Sequence, residues 1–222
     1  MSGKDNQLRL PNPIIYLITN GKPTTLNFAE NKNSILELIK IAVQTKVSLI
    51  QIREKRLPAR RVFELVSEAG KITKNSEAKL LVNDRSDIAL AAGADGVHLA
   101  SSSLSSAVIR RNFPKNFIVG VSAHTIEEAE EAKLQGADFV TYSPIFYAPE
   151  KGEPKGLDEL SRVCKKLNSF PVIALGGINE TNYASVFENG ARGFAAIRFL
   201  NDAENIRKLS AVLKNAKLKI RN

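Results

Sequence analysis

The sequence predicts a (β/α)8 barrel, and two observations carry this prediction. Short apolar segments alternate with amphipathic segments eight times within 222 residues, which is the pattern of parallel βαβ units and a length near the lower end for such a barrel. Three of the apolar segments follow a Gly-Ala-Asp or Gly-Ala-Arg tripeptide, in AGADGVHLA, QGADFVTYS and NGARGFAAI. Each glycine suits the left-handed position at which a helix ends before the next strand. We therefore expect one domain over residues 1–222, with its barrel at about 14–216.

Each expected strand is a short apolar run, and each is followed by a segment with the spacing of an amphipathic helix. In chain order, the expected strands are 14–19, 48–54, 79–84, 96–100, 117–123, 139–145, 171–177 and 193–200. The helical patterns lie at 32–45, from 58 onward, and at 85–93, 104–112, 125–136, 157–167, 179–190 and 203–215.

Local signals support individual helices. Thr125 and Glu128 have the spacing of a capping box for the fifth helix, and Asn179 is expected to cap the seventh. A doubly wound open sheet is the competing fold, but it normally uses fewer strands. The turn after the first strand, LITNGKP, also lacks the Gly-x-Gly-x-x-Gly pattern of a dinucleotide-binding fold.

The composition is typical of a globular protein in solution, with 43% hydrophobic and 25% charged residues. No apolar run approaches the ~20 residues of a membrane span, and the polar start MSGKDNQLRLPNP lacks the apolar core of a signal peptide. We therefore expect a cytoplasmic protein that does not act on membranes. The single cysteine, Cys164, excludes an internal disulfide and a multi-cysteine metal site.

The net charge of +9 is spread over separate segments, including KKLNS, RRNF and KNAKLKIRN. A basic protein can attract nucleic acid, membranes or anionic metabolites. No nucleic-acid motif and no array of stacking aromatic residues accompanies the charge, so we expect no nucleic-acid partner. Phosphorylated small molecules fit better. The sequence does not define an oligomeric state, so a homo-oligomer stays open.

The stretch SLIQIREK, in the second expected strand, carries the first candidate site. Side chains two residues apart in a strand lie on one face, so Gln51, Arg53 and Lys55 form a row of hydrogen-bond donors. The active site of a (β/α)8 barrel lies at the carboxyl ends of its strands, where this row ends. We infer a site for a phosphorylated ligand.

Other strand ends add candidates on the same face. The pair Gly176-Gly177 is expected to open the seventh helix, where backbone N–H groups and the helix N-terminus favour a phosphate. Further contacts to the ligand are expected from polar and basic groups at other strand ends and in the loop after the sixth strand, namely Asn83, Ser122, Lys151 and Arg198.

Metal and acid/base chemistry rest on few residues. Asp84, at the end of the third strand, can hold Mg2+ with help from phosphate oxygens and water, or it can cap the next helix. His98 and His124 are the only histidines, and they lack the spacing of a zinc site. We expect a structural role for His98. For His124, a structural role and an acid/base role near neutral pH both stay open.

The segments IQIREK, VNDRSDIALAAGADGVHL, GVSAHTIEEAEEAKLQGAD, SPIF and PVIALGGI resemble the thiamine phosphate synthase and TenI family. They occur in the family's order, and the match extends from about residue 14 to 212. The resemblance implies a barrel that acts in thiamine biosynthesis. It also implies a transferase that joins hydroxymethylpyrimidine diphosphate to hydroxyethylthiazole phosphate and releases diphosphate with the help of Mg2+.

The resemblance further implies roles for individual residues. Asp84 matches one Mg2+-binding carboxylate, and Gly177 matches a contact of the thiazole phosphate. Arg53 and Lys151 would be catalytic, because they stabilise the charge of the leaving diphosphate. The implied diphosphate contacts are Gln51, Arg53, Lys55, Asn83 and Lys151.

The chain departs from the family pattern at three places. Ser103 stands where a second Mg2+-binding carboxylate belongs, and Ala148 and Glu150 stand where two threonines would bind the thiazole phosphate. Arg198 replaces a serine, where it would add charge for a phosphate or fill the pocket. Two alternatives therefore stay open: a TenI-type thiazole tautomerase that uses His124, and a catalytically silent barrel that binds a thiazole or thiamine phosphate.

Overall fold

A computed structural model describes residues 12–149 and 151–219. Eight parallel strands form a closed barrel in chain order, and the last strand pairs with the first. The expected fold and all eight expected strands are thereby confirmed. The strands are β1 (Ile14–Ile18), β2 (Leu49–Ile52), β3 (Lys79–Asn83), β4 (Gly96–Leu99), β5 (Ile118–Ala123), β6 (Phe139–Tyr142), β7 (Val172–Ala174) and β8 (Gly193–Ala196).

A helix follows each strand, as parallel pairing requires a crossover on the outside of the barrel. A short 3-10 helix at Phe199–Asn201 lies between β8 and the last helix. None of the helices in the described part of the chain has the length and hydrophobicity to cross a bilayer. The helices are α1 (Phe28–Gln44), α2 (Ala59–Thr73), α3 (Ser86–Ala91), α4 (Ser106–Asn112), α5 (Ile126–Leu134), α6 (Gly156–Leu167), α7 (Tyr183–Glu188) and α8 (Ala203–Lys219).

Alternation along the strands divides the core into two clusters. One set of side chains points into the barrel, where the rings of Tyr16 and Phe139 pack edge to face with centroids 5.8 Å apart. The other set, which includes Ile50 and Ile52, packs outward beneath the helices. Because Ile50 and Ile52 point outward, the residue between them must point into the barrel.

The Gly-Ala repeats mark the helix-to-strand end of the barrel, as expected. Their glycines have φ values of 72°, 89° and 90°, which suit a glycine at the end of a helix. The Asp95 carboxylate accepts the backbone N–H of Leu80 at 2.8 Å, and Asp138 accepts that of Val119 at 2.7 Å. The repeats are therefore structural, and they lie opposite the mouth where the strands end.

One expected cap is confirmed and the other is wrong. The Thr125 hydroxyl accepts the backbone N–H of Glu128 at 3.1 Å, which caps α5. Asn179 does not cap α7, since that helix begins only at Tyr183. Its side-chain oxygen instead accepts the backbone N–H of Thr181 at 2.8 Å. Asn179 therefore closes a local turn of the preceding loop.

Candidate active site

A buried amide lies at the mouth of the barrel, at the end of β2. Gln51 lies between the outward-facing Ile50 and Ile52, so its side chain points into the barrel. It is only 1% exposed, and within the described residues its Nε2 has no hydrogen-bond partner. A buried donor without a partner costs roughly 1–3 kcal/mol. The amide is therefore available to donate to a ligand.

Arg53 follows Gln51 on the same side of the chain. Its backbone N–H donates to the Thr19 hydroxyl at 2.8 Å, which ties the end of β2 to the end of β1. Its half-buried guanidinium reaches the loop after β1, where a Cβ on Gly21 would lie 3.6 Å from Arg53 Nη1. Lys55 is exposed, because the chain leaves the strand at Ile52. The expected row therefore consists of two buried or half-buried donors and one solvated ammonium group.

Glu54 is a second buried polar group without a partner, and sequence reasoning missed it. The side chain is 4% exposed, and neither carboxylate oxygen has a hydrogen-bond partner within the described residues. Burial raises the pKa of Glu54, while the Thr19 hydroxyl, the Gly21 backbone N–H and the Arg53 charge oppose this shift. Thr19 and Gly21 are near, but they form no hydrogen bond of normal geometry with it. The sequence feature that could have indicated it is the position of Glu54 between Arg53 and Lys55, on the opposite side of the chain from the row of donors.

The two residues expected at a metal site, Asp84 and Ser103, lie in contact. Asp84 has a φ of 58°, and its Oδ1 accepts the Ala100 backbone N–H at 2.8 Å and the Ser103 hydroxyl. Its Oδ2 accepts the Asn83 side-chain amide at 2.7 Å. No group of three His, Cys, Asp or Glu side chains that could hold a metal occurs among the described residues. A metal ion at Asp84 therefore needs further oxygen ligands.

His98 lies inside the barrel and supports Ser122, which is half-buried at the mouth. The His98 Nε2 lies 3.0 Å from the Ser122 hydroxyl and 3.3 Å from that of Thr141. Its Nδ1 lies 3.1 Å from the Tyr16 hydroxyl. Burial lowers the pKa of His98 to about 4, so the imidazole is neutral near pH 7. This network agrees with the structural role expected for His98, and its partners Tyr16 and Thr141 were not predicted.

His124 is half-buried at the end of β5. Its Nδ1 lies 2.9 Å from the carbonyl oxygen of Ser143. A carbonyl oxygen can only accept a hydrogen bond, so Nδ1 carries the proton of the neutral ring. The Nε2 lone pair is then left to accept a proton, as an acid/base group requires.

Gly176 and Gly177 contact the loop after β6. Their φ values are 97° and 67°. A Cβ on Gly177 would lie 2.4 Å from the carbonyl oxygen of Tyr147, and one on Gly176 would lie 2.7 Å from Pro144 Cα. The expectation that the pair opens a helix is wrong, since α7 begins at Tyr183. The glycines instead allow two loops of the mouth to pack backbone against backbone.

Two expected cations of the mouth, Lys151 and Arg198, are exposed to solvent. Lys155, in the same loop as Lys151, lies with its ammonium 5.6 Å from the centre of the Tyr142 ring. Glu150, where the family pattern has a threonine, lies outside the described residues. The two exposed cations lie in loops of the mouth, whereas its buried and half-buried polar residues are Gln51, Arg53, Asn83, Asp84, Ser122 and His124.

Comparison with known families gives a match over most of the chain. The model of the TMP-TENI family, described as thiamine monophosphate synthase, matches residues 15–200. A protein of Aquifex aeolicus named putative thiamine-phosphate synthase 2 is 43% identical over 187 residues, which cover 83% of this chain and 96% of that protein. The thiamine-phosphate synthase of Moorella thermoacetica is 38% identical over 189 residues, covering 82% of this chain and 90% of that protein.

Solved structures agree with the barrel. Thiamine phosphate pyrophosphorylase from Pyrococcus furiosus superimposes with a TM-score of 0.75 at 29% identity, covering 90% of this chain and 96% of that chain. A 3-hexulose-6-phosphate synthase superimposes with a TM-score of 0.67 at 17% identity, covering 88% of this chain and 98% of that chain. At this lower identity the likeness concerns the fold alone.

Proposed function

The chain belongs to the thiamine monophosphate synthase family, and we propose that it is a thiamine-phosphate synthase. The proposed reaction joins hydroxymethylpyrimidine diphosphate to hydroxyethylthiazole phosphate and releases diphosphate. The observation that carries the proposal is the buried Gln51 amide at the mouth, whose Nε2 has no partner within the described residues, with Arg53 two positions further along the same side of the chain. With the neighbouring Asn83, these groups supply hydrogen-bond donors from one side, which suits a leaving group of high negative charge.

In the proposed mechanism, the bond between the pyrimidine methylene carbon and the diphosphate oxygen breaks first. The electron pair leaves with the diphosphate, and the thiazole nitrogen then attacks the methylene carbon. Arg53 stabilises the growing negative charge, and Lys151 adds a second cation from its exposed loop. Donors held in place in this way typically contribute 10²–10³-fold to the rate. Holding both substrates together and excluding water would supply much of the remainder.

The residues at Asp84 fit Mg2+ as the cofactor of this reaction. One carboxylate together with substrate phosphates and water is a usual set of ligands for Mg2+. When bound, the ion would neutralise charge on the departing diphosphate. Asp84 is the protein ligand we propose, and its hydrogen bonds to Asn83, Ala100 and Ser103 hold the carboxylate in one orientation.

The direct test is product formation from both substrates in the presence of Mg2+. We expect thiamine phosphate from the wild type and roughly a 10²–10³-fold loss of kcat/KM for Arg53→Gln. The matched control is Arg61→Gln. Arg61 lies on α2 and pairs with Glu64 at 2.8 Å, so its removal should leave the activity unchanged. A folded wild type that forms no thiamine phosphate would reject the proposal.

A thiazole tautomerase is the second candidate, and the geometry of His124 supports it. The Ser143 carbonyl fixes the tautomer that leaves Nε2 free to take a proton. If this isomerase activity is the main one, His124→Gln abolishes aromatisation of the thiazole phosphate carboxylate, and condensation is absent in the wild type. Thermal stabilisation by thiazole phosphate without turnover in either assay would instead indicate a binding protein.

A further inference from the structure

The carboxylate of Asp84 is almost saturated by hydrogen bonds from the protein itself. A carboxylate has about four lone-pair positions. The Ala100 backbone N–H and the Ser103 hydroxyl occupy two on Oδ1, and the Asn83 amide occupies one on Oδ2. About one position, on Oδ2, is left for a metal ion.

Ser103 uses its proton to hold Asp84. Its hydroxyl donates to Oδ1, and its oxygen lies 3.1 Å from the Ala100 backbone nitrogen, which also donates to Asp84. The three groups form one closed set of hydrogen bonds. Ser103 is uncharged, so it adds no negative charge for a cation. Its hydroxyl instead occupies a lone-pair position on the Asp84 carboxylate.

A single carboxylate oxygen is a weak site for Mg2+ or Mn2+. Mg2+ requires six oxygen ligands in a near-octahedral arrangement and gives up its water reluctantly. Around Asp84, the described residues contain no group of three carboxylates, histidines or cysteines to complete such a set. The remaining ligands must therefore come from water and from whatever anion the donors at Gln51 and Arg53 bind.

We propose that the metal site is incomplete in the free protein and forms only together with the diphosphate, with Ser103 acting as a positioning residue that holds Asp84. This inference rests on the proposed function, because it takes a diphosphate as the anion at the mouth. It adds an order of binding: the divalent ion enters with the diphosphate or after it, and Asp84 contributes one oxygen.

The test is metal binding rather than activity, with Mn2+ as the probe and its electron paramagnetic resonance signal as the measure of free ion. We expect the wild type to leave millimolar Mn2+ free when no anion is present. In the presence of inorganic pyrophosphate, we expect the protein to take up one equivalent of Mn2+ more than pyrophosphate alone does. Uptake of one Mn2+ by the wild type without pyrophosphate would overturn the proposal.

Variants separate the role of Ser103 from general charge effects. Ser103→Asp supplies a second carboxylate and should raise the affinity for Mn2+ alone by at least about 10-fold. Ser101→Asp adds the same charge at an exposed position of the same loop and should not. If both variants bind Mn2+ equally, the geometry assigned to Ser103 is wrong.

Pyrophosphate binding without metal, measured by calorimetry, keeps this test apart from the proposed function. The wild type could bind pyrophosphate, with weaker binding by Arg53→Gln, and yet take up no additional Mn2+. That result would overturn the ordered metal site while leaving the diphosphate site in place. Absence of pyrophosphate binding under all conditions would reject the diphosphate site on which both rest. Asp84→Asn should remove the Mn2+ uptake and leave metal-free pyrophosphate binding unchanged or stronger.

Discussion

The burial of His98 predicts a specific loss of stability in acid. Burial lowers its pKa to about 4, with the nearby Arg53 charge adding to this shift and the Asp84 charge opposing it. In the unfolded chain the ordinary value of about 6.5 applies. As the pH falls below 6.5, the unfolded state binds a proton that the folded state does not bind until about pH 4. The contribution of neutral His98 to stability is therefore complete above pH 6.5 and is lost between pH 6.5 and 4.

The size of this loss follows from linkage. At about 1.4 kcal/mol per pH unit, the free energy of unfolding falls by about 3 kcal/mol across this window from His98 alone. Such a loss is a large share of the ~5–15 kcal/mol that stabilises a typical domain. Carboxylates add their own slope in acid, so the contribution of His98 has to be isolated by comparing variants.

The assay is equilibrium unfolding in urea, followed by circular dichroism, at several pH values between 7.5 and 4.5. We expect His98→Asn to flatten the decline in the free energy of unfolding below pH 6.5. The chain has two histidines, and His124 is half-buried, so His124→Asn is the control for removing an imidazole elsewhere in the barrel. His98→Asn should also be less stable at pH 7, since it loses the bonds to Tyr16 and Thr141.

Equal declines in the wild type, His98→Asn and His124→Asn would refute the reasoning. If His98→Asn does not fold, His98→Gln replaces it. The wild type also gives a direct answer, because a nuclear magnetic resonance titration should find one imidazole with a pKa well below 6.

Three further predictions concern buried groups and close contacts. Glu54→Gln should raise the urea midpoint at pH 7, because burial disfavours the ionised carboxylate of Glu54 and raises its pKa. The variant should lose this advantage below about pH 4.5, since the carboxyl group is then protonated in both the folded and the unfolded chain. Gly177→Ala should cost roughly 2–5 kcal/mol of stability, from its positive φ and a Cβ 2.4 Å from the Tyr147 carbonyl oxygen. Gly152→Ala is the control and should be neutral, since no atom of the described residues lies within 4 Å of its Cβ. Burial raises the pKa of Cys164 to about 11, so iodoacetamide at pH 8 should modify the native thiol on the order of 100-fold more slowly than the urea-unfolded one.

Much of the site could be predicted from the sequence because strand alternation is a local property. Gln51 stands between Ile50 and Ile52, and the side of the chain that each side chain takes follows from the backbone alone. The carboxyl ends of parallel strands meet at one mouth, so Gln51, Asn83, Asp84 and Ser122 could be assigned to the same face before any contact was known. The resemblance to one family then supplied the chemistry.

The errors have a common cause, since they concern where regular structure ends. The expected second strand ran to 54 and the expected seventh to 177, whereas β2 ends at Ile52 and β7 at Ala174. The misassigned residues are Arg53 and Glu54 after β2, and Leu175, Gly176 and Gly177 after β7. The strand ends are set by the loops that pack over the mouth, such as the loop after β6 on Gly177.

The sequence by itself determined the barrel, the order of its strands and the inward direction of Gln51, because each follows from periodicity and from the short range of backbone geometry. Only the tertiary structure decided which polar groups are satisfied. Asp84 receives three donors from residues up to 19 positions away along the chain. Among the described residues, Gln51 Nε2 has no acceptor and the Glu54 carboxylate has no donor. Hydrogen-bond satisfaction depends on neighbours that closure of the barrel brings together, and no local pattern in the chain encodes them.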